Sequence, residues 1–285
     1  MGLVSVTELL KRAEEGGYAV GAFNCNNMEI VQAIMAAAEA ERAPVILQAS
    51  QGAIRYAGIN YIVAMVREAA DQATVPVALH LDHGTDFNQV MLCIRHGFSS
   101  VMIDGSRLPL PENIALTKKV VEVAHAVGVS VEGELGRITG TEDEIKVSEK
   151  ESLFTDPEEA RQFVRETGVD ALAVAIGTAH GRYKGKPELD FPRLARIREA
   201  TGGIPIVLHG SSGVPNEDIR KAIELGVRKI NIDTNIREAF VAAMRRVMES
   251  NPDEIDPRKI LGPAREAATE VIREKIRLFG CAGKA

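Results

Sequence analysis

The sequence predicts an α/β fold, a (β/α)8 TIM barrel with an extra N-terminal helix and a C-terminal helical extension. The chain has 285 residues, which is close to the roughly 250 residues of one such barrel. Short runs of β-forming residues alternate with amphipathic helical stretches at intervals of roughly 25–40 residues. These runs are nearly all apolar, which is typical of parallel strands covered on both faces. A doubly wound sheet of eight strands is the lesser alternative.

The predicted elements follow one another regularly along the chain. We predict strands at 20–24, 44–49, 76–81, 99–103, 129–134, 171–176, 205–208 and 228–232. Predicted helices between them include 27–42, 59–73, 111–127, 157–167, 192–200, 215–225 and 234–249. A further helix near 5–15 precedes the first strand, and another near 262–278 follows the last unit. No linker rich in Pro or Ser interrupts this pattern, so residues 1–285 are predicted to form a single domain.

Two predicted connections are unusually long. The segment 135–153 is rich in Gly and acidic residues, and the segment 177–190 contains AHGRYKGKP. Loops of this length are often lids or binding segments, which in a barrel lie at the catalytic rim.

Charge and cysteine content limit the classes of partner. A net charge of −6 argues against nucleic acid, whose phosphate backbone requires a basic surface, but leaves a small anionic substrate possible. No apolar run approaches the ~18 residues of a membrane span, and the N-terminal segment lacks the features of a signal peptide. The three cysteines form no CxxC pair and fit reduced thiols. We therefore expect a cytoplasmic protein without a nucleic-acid or membrane partner.

Three histidines lie at or just beyond the ends of predicted strands: His83, His180 and His209. In a barrel the carboxyl ends of the strands share one rim, and that rim is where catalysis occurs. Three imidazoles that meet there leave a fourth ligand position open, as in a catalytic zinc site. His96 and His125 lie within helical patterns without companions and are interpreted as structural.

Carboxylates accompany these histidines. Asp82 precedes His83 at the end of a strand, so the two side chains diverge, and one can bind the ion while the other serves as an acid or base. Asp104 closes the fourth strand, and Glu132 and Glu134 close the fifth. We interpret Asp104 and Glu134 as a second cation site or as supports of the first; solvated rim charges are the alternative.

Two loops are candidates for phosphate binding. The segment HGSSGVP at 209–215 follows the seventh predicted strand, and NIDTN at 231–235 follows the eighth. Small residues ahead of a helix expose backbone N–H groups, and the helix N-terminus favours an anion. Barrels frequently bind phosphate with these two loops. The Gly181 amide and Lys184 could add to this site, although Lys184 also fits a solvated loop charge.

The chain resembles the class II, metal-dependent ketose-bisphosphate aldolases, especially the fructose-1,6-bisphosphate aldolases. The motifs that carry the resemblance occur in order along essentially the whole chain: GAFNCNN, LHLDHG, SVMIDGS, VEGELG, GTAHG, LHGSSG, KINIDT and DPRKILGPARE. LHLDHG, GTAHG and LHGSSG are specific in combination. The resemblance implies a (β/α)8 barrel that forms homodimers or homotetramers and acts on a phosphorylated sugar.

The resemblance also implies a ligand set for zinc. The three histidines match the zinc ligands of the family, and Asp104 and Glu134 match its auxiliary metal positions. A second cation there would be Zn²⁺ or a monovalent Na⁺ or K⁺.

Catalytic and binding roles follow by resemblance in the same way. Asp82 matches the aspartate that exchanges a proton with the C4 oxygen, and Glu142 matches a mobile glutamate proposed to take the C1 proton. Ser50 matches the serine that meets the aldehyde half of the substrate. The positions that match backbone contacts to dihydroxyacetone phosphate are Gly181, Gly210, Ser211, Ser212, Asn231, Ile232, Asp233 and Thr234. Arg258 and Arg265 are alternative candidates for the distal phosphate, which is often held by a neighbouring subunit.

These roles describe the reversible cleavage of fructose 1,6-bisphosphate to dihydroxyacetone phosphate and glyceraldehyde 3-phosphate. Cleavage of the C3–C4 bond leaves an enediolate, whose charge zinc stabilises as a Lewis acid. Asp82 would accept the C4 hydroxyl proton during cleavage and return it during condensation. Loop closure would shield the enediolate from loss of phosphate.

Other functions remain as alternatives. Tagatose-1,6-bisphosphate cleavage differs only in configuration at C4, and the segment from Ser50 to Gly58 modestly favours the fructose type. A Schiff-base aldolase needs a lysine inside the barrel, for which Lys229 is the candidate. A zinc hydrolase of the amidohydrolase type would need an HxH pair after the first strand, where this chain reads FNCN. A non-catalytic, metal-stabilised barrel scaffold is the remotest alternative.

Overall fold

A computed structural model describes residues 2–142, 145–147, 153–183, 185 and 187–285 of the protein. Within these ranges the strands are β1 (Val20–Asn24), β2 (Val45–Ser50), β3 (Val77–Gly84), β4 (Ser100–Ile103), β5 (Ser130–Leu135), β6 (Thr139–Glu142), β7 (Ile145–Val147), β8 (Ala171–Val174), β9 (Ala179–His180), β10 (Ile206–Leu208) and β11 (Val227–Ile232).

Eight of the described strands form a closed barrel in the order β1-β2-β3-β4-β5-β8-β10-β11. Every neighbouring pair is parallel, and β11 closes the barrel on β1. The predicted (β/α)8 barrel is therefore confirmed.

Helices surround this barrel, and most of their bounds lie close to the predicted ones. In the described part of the chain they are α1 (Val6–Gly16), α2 (Met28–Glu41), α3 (Gln51–Ala57), α4 (Ile59–Gln72), α5 (Phe87–His96), α6 (Leu110–Ala126), α7 (Pro157–Thr167), α8 (Phe191–Ala200), α9 (Asn216–Glu224), α10 (Thr234–Ser250) and α11 (Pro257–Leu278). Asp156 caps α7 by accepting the N–H groups of Glu158 and Glu159, as expected for Asp followed by Pro at a helix start. None of the described helices is both long and apolar enough to cross a membrane.

The C-terminal helix begins earlier than predicted. The sequence predicts a start near residue 262, but α11 begins at Pro257. Asp256 caps this start by accepting the N–H of Arg258, and Pro257 occupies the first turn, where a missing N–H costs nothing. Pro263 lies inside the helix, which continues through it while packing against α2 and α10.

A small second sheet joins the two long connections that we predicted as loops. Its strand order is β7-β6-β9, with β6 antiparallel to β7 and parallel to β9. Gly140 in β6 pairs with His180 in β9 and has a φ of 110°. A Cβ at Gly140 would lie 2.2 Å from the His180 carbonyl oxygen, so this pairing requires glycine. The strand that contains Glu142 is thereby attached to the strand that contains His180.

The apolar core lies between the strands and the surrounding helices, and includes Phe163 and Leu79. The barrel interior differs because it also contains buried polar and charged side chains, among them Gln48, Glu132 and Lys229. Such groups must find partners with one another, since burial of an unpaired polar group is unfavourable.

Candidate active site

Three imidazoles meet at the C-terminal rim of the barrel. His83 lies near the end of β3, His180 in β9, and His209 directly after β10. The centroid of the His83 ring lies 5.4 Å from that of His180 and 4.7 Å from that of His209. His83 has a φ of 50°, a left-handed conformation that a residue with a side chain rarely adopts. One potential ligand atom from each histidine lies within 4.8 Å of the others.

The outer nitrogens of two of these histidines face buried carboxylates. His83 Nδ1 lies 3.0 Å from Asp104 Oδ2, and His209 Nε2 lies 2.8 Å from Glu132 Oε1. Each carboxylate therefore accepts an N–H from its imidazole and leaves the lone pair on the other ring nitrogen. This arrangement is typical of metal-binding histidines, whose second nitrogen donates to a carboxylate.

The inner nitrogens of the same two histidines approach each other. His209 Nδ1 lies 3.0 Å from His83 Nε2. Two lone pairs at this distance repel unless a proton or a metal ion lies between them, and His180 supplies a third nitrogen donor beside them. The donor set of three imidazoles fits zinc, which prefers nitrogen and sulfur ligands.

The electrostatics keep these groups in the forms that bind a metal. Burial lowers the pKa of His209 in spite of the adjacent Glu132, so its imidazole is neutral near pH 7. Burial opposes ionisation of Glu132 and of Asp104. In Glu132 the Lys229 charge and the His209 hydrogen bond outweigh burial, and hold the pKa of this carboxyl well below its usual range. In Asp104 hydrogen bonds from His83 and Ser106 lower the pKa in the same way.

A second candidate group lies beside the first. His83, Asp104 and Glu134 each offer a ligand atom within 4.8 Å of the others. His83 Nδ1 lies 3.7 Å from Glu134 Oε2, in addition to its contact with Asp104. His83 thus belongs to both groups, with one nitrogen on each side of its ring.

Asp82 lies in the barrel interior and is fully buried. Its Oδ2 accepts N–H groups from Asn24 Nδ2 at 2.7 Å and from Gln48 Nε2 at 3.2 Å. Its Oδ1 accepts from Asn231 Nδ2 at 3.3 Å. Gln48 Nε2 also donates to Asn24 Oδ1 at 2.7 Å. Amide N–H groups therefore donate to both oxygens of the carboxylate.

A polar cleft lies next to the histidines. It brings together most of the loop residues predicted to bind phosphate, and its lining consists of Asn24, His180, Gly181, Gly210, Ser211, Ser212, Asn231, Asp233, Thr234 and Arg237. Helix α10 begins at Thr234, so its N-terminal N–H groups lie at this cleft. Gly210 has a φ of 62°, and a Cβ there would lie 2.5 Å from the Ala179 carbonyl oxygen. The turn after His209 therefore requires glycine.

The other predicted site residues have different positions. Ser50 caps α3 by accepting the Ala53 N–H, and it is paired with Asp82 in the register of β2 and β3. Ile232 is buried at the end of β11. Glu142 ends β6, but its side chain lies outside the described residues, as does all of Lys184.

Arg258 and Arg265 lie on α11, along one groove. Arg258 forms an ion pair with Asp256, and Arg265 donates to Gln32 Oε1 at 2.9 Å.

Sequence reasoning missed three residues at this site: Asn24, Gln48 and Arg237. It placed Glu132 at the end of the fifth strand without choosing a role for it. A polar side chain inside an apolar strand, as at Asn24 and Gln48, was the available signal. Arg237 lies within α10, and no motif in the sequence marks it. It forms a 2.7 Å ion pair with Asp233, one helical turn earlier.

Comparison with known proteins indicates the same chemistry as the geometry of the site. The family described as class-II fructose-bisphosphate aldolase matches residues 4–284. The chain belongs to the class II fructose-bisphosphate aldolase family. It is 51% identical to a fructose-bisphosphate aldolase of Thermus caldophilus, over 99% of this chain and 100% of that one. It is 50% identical to the fructose-bisphosphate aldolase of Geobacillus stearothermophilus, over 100% of this chain and 99% of that one.

Solved structures of aldolases share the fold. The crystal structure of the YdjI aldolase of Escherichia coli K12 has a TM-score of 0.87 and 36% sequence identity, and covers 99% of each chain. The fructose-bisphosphate aldolase of Campylobacter jejuni has a TM-score of 0.84 and 26% identity, over 100% of this chain and 97% of that one. As a class II aldolase, this protein is a metal-dependent lyase that acts on phosphorylated sugars.

Proposed function

We propose that this class II aldolase cleaves fructose 1,6-bisphosphate reversibly to dihydroxyacetone phosphate and glyceraldehyde 3-phosphate, in glycolysis and gluconeogenesis, with zinc as its metal. The observation that carries the proposal is the convergence of three features at one rim. A cluster of imidazoles, a buried carboxylate and a polar cleft at a helix N-terminus all meet there. A metal-stabilised scaffold would need only the first of these.

In this proposal His83, His180 and His209 hold zinc through the nitrogens that face one another. Zinc bound there would supply a Lewis acid that stabilises negative charge on the three-carbon fragment. Asp104 and Glu132 orient two of the imidazoles by accepting their outer N–H groups. Asp104 and Glu134 are also the proposed ligands of a second cation, with His83 between the two sites.

Asp82 accepts the proton of the C4 hydroxyl during cleavage and returns it during condensation. Its hydrogen bonds to the Asn24, Gln48 and Asn231 amides hold the carboxylate in one orientation. Because the whole side chain is buried, bulk water cannot compete for the proton.

The cleft beside the histidines binds the phosphate of the dihydroxyacetone-phosphate half. Its small residues, Gly181 and Gly210 to Ser212, let the backbone approach the phosphate closely. The start of α10 at Thr234 adds N–H donors, and Arg237 adds a positive charge. We propose Lys184 as a further cation of this cleft.

Ser50 and Glu142 complete the proposed site. Ser50 stands beside Asp82 in the strand register, which supports its contact with the aldehyde half of the substrate. Glu142 is proposed to exchange the C1 proton. The pairing of β6 with β9 supports this role, because it attaches the Glu142 strand to the strand of His180.

We further propose a cytoplasmic homodimer or homotetramer. Buried, free thiols at all three cysteines support a reducing compartment. Large apolar side chains exposed near the C-terminal helices, such as Met248 and Ile255, support self-association. Arg258 or Arg265 would then contact the distal phosphate in a neighbouring subunit.

Turnover of the purified protein with two sugar bisphosphates tests the proposal. We expect cleavage of fructose 1,6-bisphosphate to triose phosphates, loss of activity with a chelator, and recovery with zinc. Faster turnover of tagatose 1,6-bisphosphate would assign the alternative substrate, and full activity in excess chelator would contradict the metal mechanism. Borohydride should not label the protein in the presence of substrate, since covalent labelling would indicate a Schiff base.

A further inference from the structure

Lys229 places a positive charge inside the barrel. It lies in β11, and its side chain is 0% exposed. Burial of an ammonium group is strongly unfavourable unless the charge is paired and hydrogen-bonded. The proposed reaction assigns no step to this residue, so its contacts must explain why the barrel contains it.

The ammonium group contacts one residue that hydrogen-bonds a proposed zinc ligand and one residue that hydrogen-bonds Asp82. Lys229 Nζ lies 2.9 Å from Glu132 Oε2, with which it forms an ion pair, and it donates to Asn231 Oδ1 at 2.8 Å. Both contacts are made inside the barrel, where the Lys229 side chain is fully buried.

The contact with Glu132 leads to the metal site. Glu132 holds Lys229 through Oε2 and accepts the His209 N–H through Oε1. The ion pair at Oε2 and the His209 hydrogen bond at Oε1 act on the same carboxylate from its two oxygens, and together they hold its orientation. His209 is therefore held in the tautomer that presents the Nδ1 lone pair to the other imidazoles.

The contact with Asn231 leads to the proton-transfer group. An ammonium is a donor only, so the Asn231 atom beside Lys229 must be the amide oxygen. The amide nitrogen then faces Asp82 Oδ1 at 3.3 Å. A flipped amide would place N–H against N–H at Lys229 and oxygen against oxygen at Asp82. Lys229 thus adds a second contact that fixes the amide orientation.

We propose that Lys229 is a positioning residue that fixes the metal site and the proton-transfer group together, through Glu132 and Asn231. This proposal rests on the proposed zinc-dependent function. It gives Lys229 a role that neither the barrel fold nor the steps of the reaction assign. Lys229 acts through other side chains, so its removal changes their orientation and not the ligands themselves.

Lys229→Met tests this role, with Lys275→Met as a matched control on α11. Zinc affinity is measured by competition with a fluorescent chelator. We expect about 10- to 100-fold weaker zinc binding in Lys229→Met, the usual effect of removing an outer contact of a metal ligand. At saturating zinc we expect kcat to stay about 10- to 100-fold below the unmodified protein, with KM changed less, because Asn231 and Asp82 are mispositioned. Lys275→Met should match the unmodified protein in both measurements.

A spectroscopic measurement separates positioning from general stability. In the metal-free, ¹⁵N-labelled protein, NMR should show one His209 tautomer, with its proton on Nε2. We expect a mixture of tautomers in Lys229→Met. Unchanged zinc affinity and tautomer, or an unchanged kcat at saturating zinc, would overturn the proposal.

Should Lys229→Met fail to fold, the double variant Lys229→Met/Glu132→Gln also removes the carboxylate charge that the loss of Lys229 leaves without its ion-pair partner. The amide oxygen introduced by Glu132→Gln can still accept from His209, so zinc affinity should recover towards that of the unmodified protein, while kcat stays at least about 10-fold low. An unchanged kcat in this variant would also overturn the proposal. If the unmodified protein itself neither binds zinc nor cleaves fructose 1,6-bisphosphate, the proposed function fails, and that result is distinct from failure of the Lys229 role.

Discussion

Asp82→Asn isolates the proposed proton transfer with little change in shape. A positioned acid–base group contributes about 10²–10⁴ in rate, or about 2.7–5.4 kcal/mol at 1.36 kcal/mol per tenfold. Asp82 accepts from Asn24 and Gln48 on one oxygen and from Asn231 on the other. An asparagine can keep its oxygen towards the first two donors and then faces Asn231 with an N–H. One donor thus loses its acceptor, at a cost to stability of about 1–3 kcal/mol.

Alanine at the same position would remove the acceptor of three amide hydrogen bonds at once, so Asp82→Asn is the cleaner variant. We expect kcat for fructose 1,6-bisphosphate cleavage to fall about 10²–10⁴-fold, with bound zinc unchanged. Tm should fall by several degrees, at about 2–4 °C per kcal/mol for a chain of this size. The exposed Asp253→Asn serves as control and should keep full activity. Turnover close to that of the unmodified protein would refute the proton-transfer role, and loss of zinc would make Asp82 structural.

Three further predictions concern binding and stability. Arg237→Gln should raise KM for the bisphosphate about tenfold or more, with kcat changed less, because it removes a charge from the phosphate cleft and not from the reacting atoms. Steady-state kinetics tests this, and a fall in kcat alone would contradict it. Phe163→Ala should lower the free energy of unfolding by about 3–5 kcal/mol, because the Phe163 side chain is fully buried and its removal leaves a cavity. Denaturant unfolding measures this, and a loss below about 1 kcal/mol would contradict the prediction. Glu41 forms ion pairs with two arginines of α11 that lower its pKa, so its stabilisation is present above its unfolded pKa and is lost as pH falls through the lowered value. Glu41→Gln should therefore lower Tm at pH 7, and by progressively less as the pH falls below the unfolded pKa of the carboxyl; an effect on Tm that does not change with pH would contradict the ion pairs.

The barrel could be predicted because its signals are local. Apolar runs of the right length recur along the chain, and the first predicted strand, 20–24, has the observed bounds Val20–Asn24. The meeting of His83, His180 and His209 followed from the fold alone, because the carboxyl ends of parallel strands share one rim.

The contacts inside the barrel could not be predicted, because they depend on register between strands. Asn24 stands beside Gln48 only in the observed pairing of β1 with β2. The sequence shows a polar residue in each of these apolar runs. It does not show which strands are neighbours in the barrel, or which residues of neighbouring strands are paired. The hydrogen bond from His209 to Glu132 joins residues that are separated by 77 positions in the sequence.

The small sheet at the rim was missed for a related reason. Strand β9 has two residues, too few for any pattern of alternation, and its pairing with β6 joins Gly140 to His180. A loop of this length gives no local signal that distinguishes paired from unpaired backbone.

Three imidazoles that bind one catalytic zinc ion per chain are the centre of the proposed mechanism. Titration of the chelator-treated protein with zinc tests this most directly, with bound zinc and the rate of fructose 1,6-bisphosphate cleavage measured in the same samples. We expect the rate to rise in proportion to bound zinc up to one ion per chain, and His180→Ala to bind less than the unmodified protein at every zinc concentration. Cleavage at the full rate before zinc is added would contradict the mechanism, as would zinc binding that leaves the rate unchanged.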